Sequence, residues 1–202
     1  MAPKTYVITI ARQFGSMGRE IGKRLAHELD INYYDRDLLE KTAEQMNIEA
    51  ATLSKYDEST SGKFSRMLYP LGKGQTAIHK KVFNYQKSMI LNIASQESCV
   101  IVGRCADYIL KDHPNAIHIF IYAPYLERLR NSEVELGLST TYAEKMINEV
   151  DQARSSYHKF YTGEDFDSIK NRSICIDSSL LPINETVRIL KDIVVSHFRL
   201  NS

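Results

Sequence analysis

Two stretches of this chain are apolar along their whole length rather than on alternate residues. They are Cys99-Val100-Ile101-Val102 and Ala116-Ile117-His118-Ile119-Phe120-Ile121-Tyr122, the second interrupted by a single His118. A strand that is hydrophobic on both faces must be covered on both faces, which is the condition of a parallel sheet layered between helices. Three further runs have strand character: Tyr6-Val7-Ile8-Thr9-Ile10, Ile31-Asn32-Tyr33-Tyr34 and Ser173-Ile174-Cys175-Ile176-Asp177. Parallel neighbours require crossovers, and helical periodicity fills the intervals. Ile21, Leu25 and Leu29 with Gly22 and Ala26 form one stripe, and Leu38, Leu39, Ala43 and Met46 form another. A long helix is predicted over Thr76 to Gln96, a shorter one through Ala106, Ile109 and Leu110, and one from about Tyr125. Two more carry Ala143, Met146, Ile147, Val150 and Ala153, and Val187, Leu190, Ile193 and Val194. The alternation predicts a doubly wound parallel sheet of about five strands flanked by helices, in one domain over residues 1–202.

The first strand leads directly into a turn with Gly15, Ser16 and Gly18 and then into a helix. Glycines at such a turn let backbone approach an anion, and the first amides of the helix offer it donors. The full G-x-x-x-x-G-K-[ST] phosphate-loop signature is absent. Placed on Gly18, it finds Gln13 at the first glycine, Arg19 at the lysine and Glu20 at the metal-binding hydroxyl; the register on Gly22-Lys23 fails at Met17 and Arg24. A plain strand-turn-helix unit is the competing reading of this stretch.

The remaining positions that can carry chemistry are mostly arginines. Arg12 and Arg19 bracket the glycine turn, Arg104 directly follows a buried strand, Arg128 and Arg130 follow another, and Arg154, Tyr157, His158, Lys159 and Tyr161 share a later helix. Arginine makes bidentate bonds to phosphate and stays charged, so several aimed at one point can neutralise a phosphoryl-transfer site. Solvated surface charge is the alternative for each. Asp107 either holds Mg²⁺ through water or bonds within its own turn. Asp35 either caps the following helix or, with Arg36, lies at the sheet edge where ligands bind. His27 reads as a surface residue and His118 as a satisfied core or sheet-edge one.

The formal net charge of +1 argues against a general nucleic-acid binder. Hydrophobic residues at 43% and charged ones at 25% are ordinary for a globular domain, so disorder is not expected. Three cysteines, with Cys99 and Cys175 in strand-like runs, read as buried thiols of a reducing compartment. No run is long enough to cross a membrane and no leader precedes the first strand, so a cytoplasmic protein is expected. Residues 48–74 lack a clear pattern and are read as a mobile insertion over the site; Ser61-Gly62-Lys63 within them is a flexible turn. An apolar stripe on Thr76 to Gln96 would allow a homodimer, although burial within one chain explains it as well.

The segments ITIARQFGSMGREIGKRLA, YYDRDLLE, CVIVGRCADYIL, HIFIYAP with ERLR, and RSSYHKFYTG followed by ICIDSS together resemble the cytidylate kinase-like family, related to the bacterial cytidylate kinases among the nucleoside monophosphate kinases. The resemblance implies a P-loop kinase fold that moves the γ-phosphoryl of ATP onto a nucleoside monophosphate, CMP or dCMP, with Mg²⁺ bridging the donor phosphates. It places Gly15, Ser16, Met17, Gly18 and Arg19, with Arg12 and Glu20 alongside, on the donor. It puts Arg104 on the acceptor phosphate, Arg128 and Arg130 at the start of a lid over residues 128–163, Arg154 within it, and Tyr34-Asp35 near the acceptor. Arg130 and Arg154 would face the transferring group. Glu20 cannot supply the usual hydroxyl, so metal contacts fall to Ser16, Asp35, Asp107 or water, and Cys105 replaces the acid of Gly-Arg-Asp. A nucleotide sensor without turnover, or a kinase for another small acceptor, are the rival expectations.

Overall fold

Strand β1 (Val7–Arg12) lies at the centre of a parallel sheet whose order is β2-β3-β1-β4-β5. Its neighbours are β3 (Cys99–Val102) on one side and β4 (Ala116–Tyr122) on the other, with β2 (Asn32–Tyr34) and β5 (Ile174–Asp177) at the edges. The computed structural model describes residues 3–35 and 76–200. The helix expected through Leu38 and Met46, the contact expected of Arg36, the insertion at 48–74 and the turn at Ser61-Gly62-Lys63 lie outside the described residues.

The central pairings are fully in parallel register, Ile8 opposite Val100 on one side and Ile117 on the other. Successive side chains alternate between faces, and each face finds its own helices. Ile8, Ile10, Val100, Val102, Ile119 and Ile121 pack against Ile21 and Leu25 of α1 (Gly18–Glu28) and Val187, Leu190 and Val194 of α6 (Ile183–Phe198). On the opposite face Val7, Cys99 and Ile101 meet Met89, Ile90 and Ile93 of α2 (Thr76–Gln96) and Ala106 of α3 (Ala106–Ile109). Each fully buried Ile or Leu contributes about 2 kcal/mol, so the interleaved layers hold the sheet without any disulfide; all three cysteines are free thiols. Phe14 leaves the sheet to join Met146, Ile147 and Val150 of α5 (Thr140–Thr162), which follows α4 (Tyr125–Val134).

Of the apolar positions on α2, Phe83, Met89, Ile90, Ile93 and Ala94 are buried within the chain, while Tyr85 and Leu91 are exposed. His118 is buried and its Nδ1 lies 2.8 Å from Thr9 Oγ1, a satisfied pair inside the sheet. His27 is exposed. Cys175 departs from expectation: it is exposed. It sits on edge strand β5, which has a neighbour on one side only, so an apolar run there does not guarantee cover on both faces. Helix α3 is a single turn, bounded by the left-handed Cys105 before it and by Leu110, at φ −103° and ψ 14°, after it. No described helix is long and apolar enough to cross a membrane.

Candidate functional site

Strand order places the ends of β3, β1 and β4 side by side, and the chain leaves β1 between them. This is the crevice beyond the carboxyl ends of the strands where open α/β sheets bind ligands. The turn after β1 is tied to the end of β4 and to α4. Gln13 N donates to Ile121 O at 3.0 Å, its side-chain Oε1 accepts from Ala123 N at 3.2 Å, and Asn131 Nδ2 donates to Gly15 O at 2.9 Å. Gly15 has φ +75°, and a Cβ there would lie 2.5 Å from Arg128 O. Its missing side chain therefore lets α4 close onto the turn. Met17 is also left-handed, at φ 57°, and starts α1 without a side-chain cap. The Ser16 hydroxyl is fully buried and faces the carbonyl oxygens of Gln13 and Ile121, at 2.9 and 3.2 Å. It locks the turn and is not turned outward toward a metal.

Arginines converge around this turn. Arg104 is buried at the end of β3, and Arg12 lies so close to it that a Cβ on Gly103 would meet Arg12 Nη1 at 2.5 Å. Arg154 Nη1 donates to Arg12 O at 3.0 Å and lies 3.6 Å from Asp151 Oδ1. Arg128 Nη1 pairs with Asp151 Oδ2, and Asp151 Oδ1 accepts from Phe14 N at 2.8 Å. Arg19 is held by Asp35, with Nε at 2.8 Å and Nη2 at 2.6 Å from Oδ2; the Tyr33 hydroxyl donates to the same oxygen at 3.3 Å. Among the described residues, the carboxylates brought to these five arginines are Asp35 and Asp151. Burial lowers the pKa of Arg12, and the nearby charges of Arg19 and Arg104 lower it further. Arg154 is lowered strongly by burial and then by Arg12 and Arg128. Desolvated, mutually repelling guanidinium groups gain most from an arriving anion.

Other expected site residues sit differently. Arg130 is 75% exposed and pairs with Glu127 one turn back, at 3.8 Å, so Arg128 is the arginine of α4 that faces the turn. Glu20 pairs with Arg24 at 2.7 Å. The Tyr34 hydroxyl donates to Glu97. Asp107 is buried and its Oδ2 is shared by His158 Nε2, at 3.3 Å, and Arg172 Nη1. A cation at that oxygen would meet two positive neighbours, which disfavours Asp107 as a metal ligand. The described residues contain no group of three His, Cys, Asp or Glu able to hold a metal ion. Neither Ser16, Asp35 nor Asp107 presents a carboxylate or hydroxyl clear of other partners, so the donors among the described residues do not fit Mg²⁺.

Three participants escaped the sequence reading. Asp151 is the hub for Arg128 and Arg154, and its place three residues before Arg154 on one helix was the available signal. Arg172 and Gln86 gave none. Gln86 Oε1 accepts from the Tyr157 hydroxyl at 3.2 Å, and Tyr157 lies within reach of the Arg104 charge, so α2 and α5 meet beside Arg104. Phe83 stacks on Tyr161 at 4.1 Å beside them.

A parallel sheet with an arginine-lined turn at its carboxyl edge defines the P-loop kinase class of α/β fold. The profile of the cytidylate kinase-like family matches residues 7–180, and the chain belongs to that family. Among solved structures, an uncharacterized protein from Eubacterium ventriosum is similar, with a TM-score of 0.73 and 24% identity over 95% of this chain and 99% of that one. A gluconokinase from Sinorhizobium meliloti aligns at TM-score 0.54 and 11% identity, over 96% and 94% of the two chains. A shikimate kinase from Acinetobacter baumannii, in complex with shikimate, aligns at 0.53 and 10%, over 98% and 97%. No curated protein sequence matches significantly.

Proposed function

We propose that this protein transfers the γ-phosphoryl group of ATP to a nucleoside monophosphate, CMP or dCMP. The observation that carries the reading is the convergence of Arg12, Arg104, Arg128 and Arg154 on the turn between β1 and α1. An acceptor that is already anionic needs no general base; positioning, charge neutralisation and exclusion of water suffice. The backbone of Gly15 to Gly18 and Arg19 would hold the donor phosphates, with Arg12 beneath them. Arg104 would hold the acceptor phosphate, and Arg154 with Arg128 would face the group in flight, in place of Arg130. Mg²⁺, where used, would be carried by phosphate oxygens and water, since the described side chains offer it no fitting set.

Aromatic residues and an amide beside Arg104, namely Tyr157, Tyr161, Phe83 and Gln86, suit a planar acceptor with hydrogen-bonding edges. The test is ADP formation from ATP against CMP, dCMP, UMP, AMP and GMP, with shikimate and gluconate as non-nucleotide acceptors. Turnover with a pyrimidine nucleotide supports the proposal; turnover only with shikimate or gluconate overturns its acceptor.

A second reading has one observation in its favour. Arg19, which stands at the phosphate-loop lysine, is bound to Asp35, and Glu20 is bound to Arg24. A nucleotide sensor would keep the cradle without the chemistry. ATP binding by calorimetry without ADP formation across the panel would establish it.

A further inference from the structure

The turn that carries Arg104 is conformationally costly. Gly103, Arg104 and Cys105 are consecutive left-handed residues, at φ 84°, 58° and 53°, and only the first is glycine. A non-glycine residue in this region costs about 1–2 kcal/mol, so the surroundings must hold the turn in place. They do so from one helix at two adjacent residues. Tyr157 of α5 lies close enough to Arg104 to feel its charge, and His158 places Nε2 3.3 Å from Asp107 Oδ2. Arg172 closes on the same oxygen from the segment after α5, donates Nη2 to Phe166 O at 3.2 Å and lies over the Phe120 ring. The three side chains of this cluster are 7%, 4% and 2% exposed.

Hydrogen-bond chemistry assigns the protons. Thr162 Oγ1 donates its hydrogen to His158 O at 2.7 Å, so it can only accept from His158 Nδ1, 3.1 Å away. The other neighbour of Nδ1 is the carbonyl of Glu164, at 3.1 Å. Nδ1 must therefore donate. Nε2 faces a carboxylate kept ionised by Arg172, so it donates as well. His158 is an imidazolium inside the fold. Burial alone would lower its pKa, but the hydrogen bond and charge of Asp107 raise it. Two cations on one buried carboxylate, with Arg172 Nε lacking a partner among the described residues, form an arrangement that apolar residues could replace at lower cost. Stability is a poor reason for it. Geometry at Arg104 is a better one.

We propose that Asp107, His158 and Arg172 are positioning residues that hold the left-handed Arg104 turn, and with it the Arg104 guanidinium, in register with the phosphate-binding turn. The proposal rests on Arg104 being the acceptor arginine of the kinase reading. With Asp107 held by His158 of α5 and by Arg172, a displacement of α5 is transmitted to the turn that carries Arg104.

The test is nitrogen-15 spectroscopy of the substrate-free protein, with the Arg104 Nε–H signal assigned by its loss in Arg104→Lys. Expected are two protonated ring nitrogens on His158 at neutral pH, and Arg104 Nε–H exchange at least about tenfold faster in His158→Gln. Exchange at Arg154 should stay unchanged. A merely structural role would speed both arginines together, and that result overturns the proposal. So does a single ring proton on His158, or an Arg104 signal indifferent to the substitution. Should His158→Gln not fold, Arg172→Lys and the wild-type ring spectrum decide. In kinetics with ATP and CMP, the CMP KM of His158→Gln should rise about tenfold with the ATP KM unchanged. Absence of CMP turnover would count against the kinase reading alone, because the spectra need no substrate.

Discussion

Two turns meet at the carboxyl edge of the sheet and solve opposite problems. The turn after β1 spends its unusual backbone on closeness: Gly15 admits the carbonyl of Arg128, and the Ser16 hydroxyl is consumed by carbonyls. The turn after β3 spends it on aim: Arg104 and Cys105 adopt left-handed conformations although neither is glycine, and Asp107 is gripped from α5 and from Arg172. The first is a cradle held by hydrogen bonds from α4 and α5, 116 and 137 residues away. The second points one guanidinium and is held through Asp107 by His158 and Arg172, 51 and 65 residues away. Both turns carry left-handed non-glycine residues, Met17 in the first and Arg104 with Cys105 in the second, and each places a glycine, Gly15 or Gly103, where a neighbour comes close.

The widest gap between the turns should appear in Arg104→Ala. Its kcat/KM for the acceptor is expected to fall by about 100-fold or more while ATP affinity in calorimetry holds; equal loss of both would remove the division of labour. Gly15→Ala breaks the other turn. It combines φ +75° with a 2.5 Å clash against backbone and should cost about 3 kcal/mol in denaturant unfolding, with ATP binding lost alongside. Arg128→Ala should reduce turnover by about tenfold or more while Arg130→Ala changes it less than about twofold, since Arg130 is 75% exposed. Asp35→Asn releases Arg19 and should lower the ATP KM by about two- to fivefold.

The smallest effect is on pH dependence. The folded pKa of His158 is raised from 6.5, so its contribution to stability is complete below that value and is lost as pH climbs through the folded value. For Asp107, burial would raise the pKa, but the His158 hydrogen bond and the Arg172 charge carry it below 3.8. Its contribution is present above that value and is lost as pH falls through the folded one. The stability difference between wild type and His158→Gln should therefore shrink as pH rises above 6.5 in urea titrations. A constant difference would mean that His158 carries no ionic load.

Much of the fold could be read in advance because parallel strands need cover on both faces, and Cys99–Val102 and Ala116–Tyr122 declare that by being apolar throughout. Thr76–Gln96 was equally plain from its periodicity. Cys175 misled because an edge strand can carry the same residues with one side open. At the site, Arg12, Arg104 and Arg154 were visible as cations at strand ends and on a late helix. Their carboxylate partners were not, because Asp151 reaches Phe14 across 137 residues and Arg172 reaches Asp107 across 65, and pairing at that range is decided by packing. Asp107 and Ser16 looked like metal donors from residue type, whereas their oxygens are occupied in the folded chain. The split between Arg128 and Arg130 depended on which side of α4 faces the turn.

Cys105 has a consequence for how the chain tolerates substitution. It is buried and left-handed at once, a pairing that excludes the residues ordinarily welcome in an interior. Valine, isoleucine and threonine carry branched Cβ atoms that this backbone rejects. A saturation library at position 105 should return glycine, asparagine, aspartate and small side chains, and discard the aliphatics that a hydrophobicity scale would rank first.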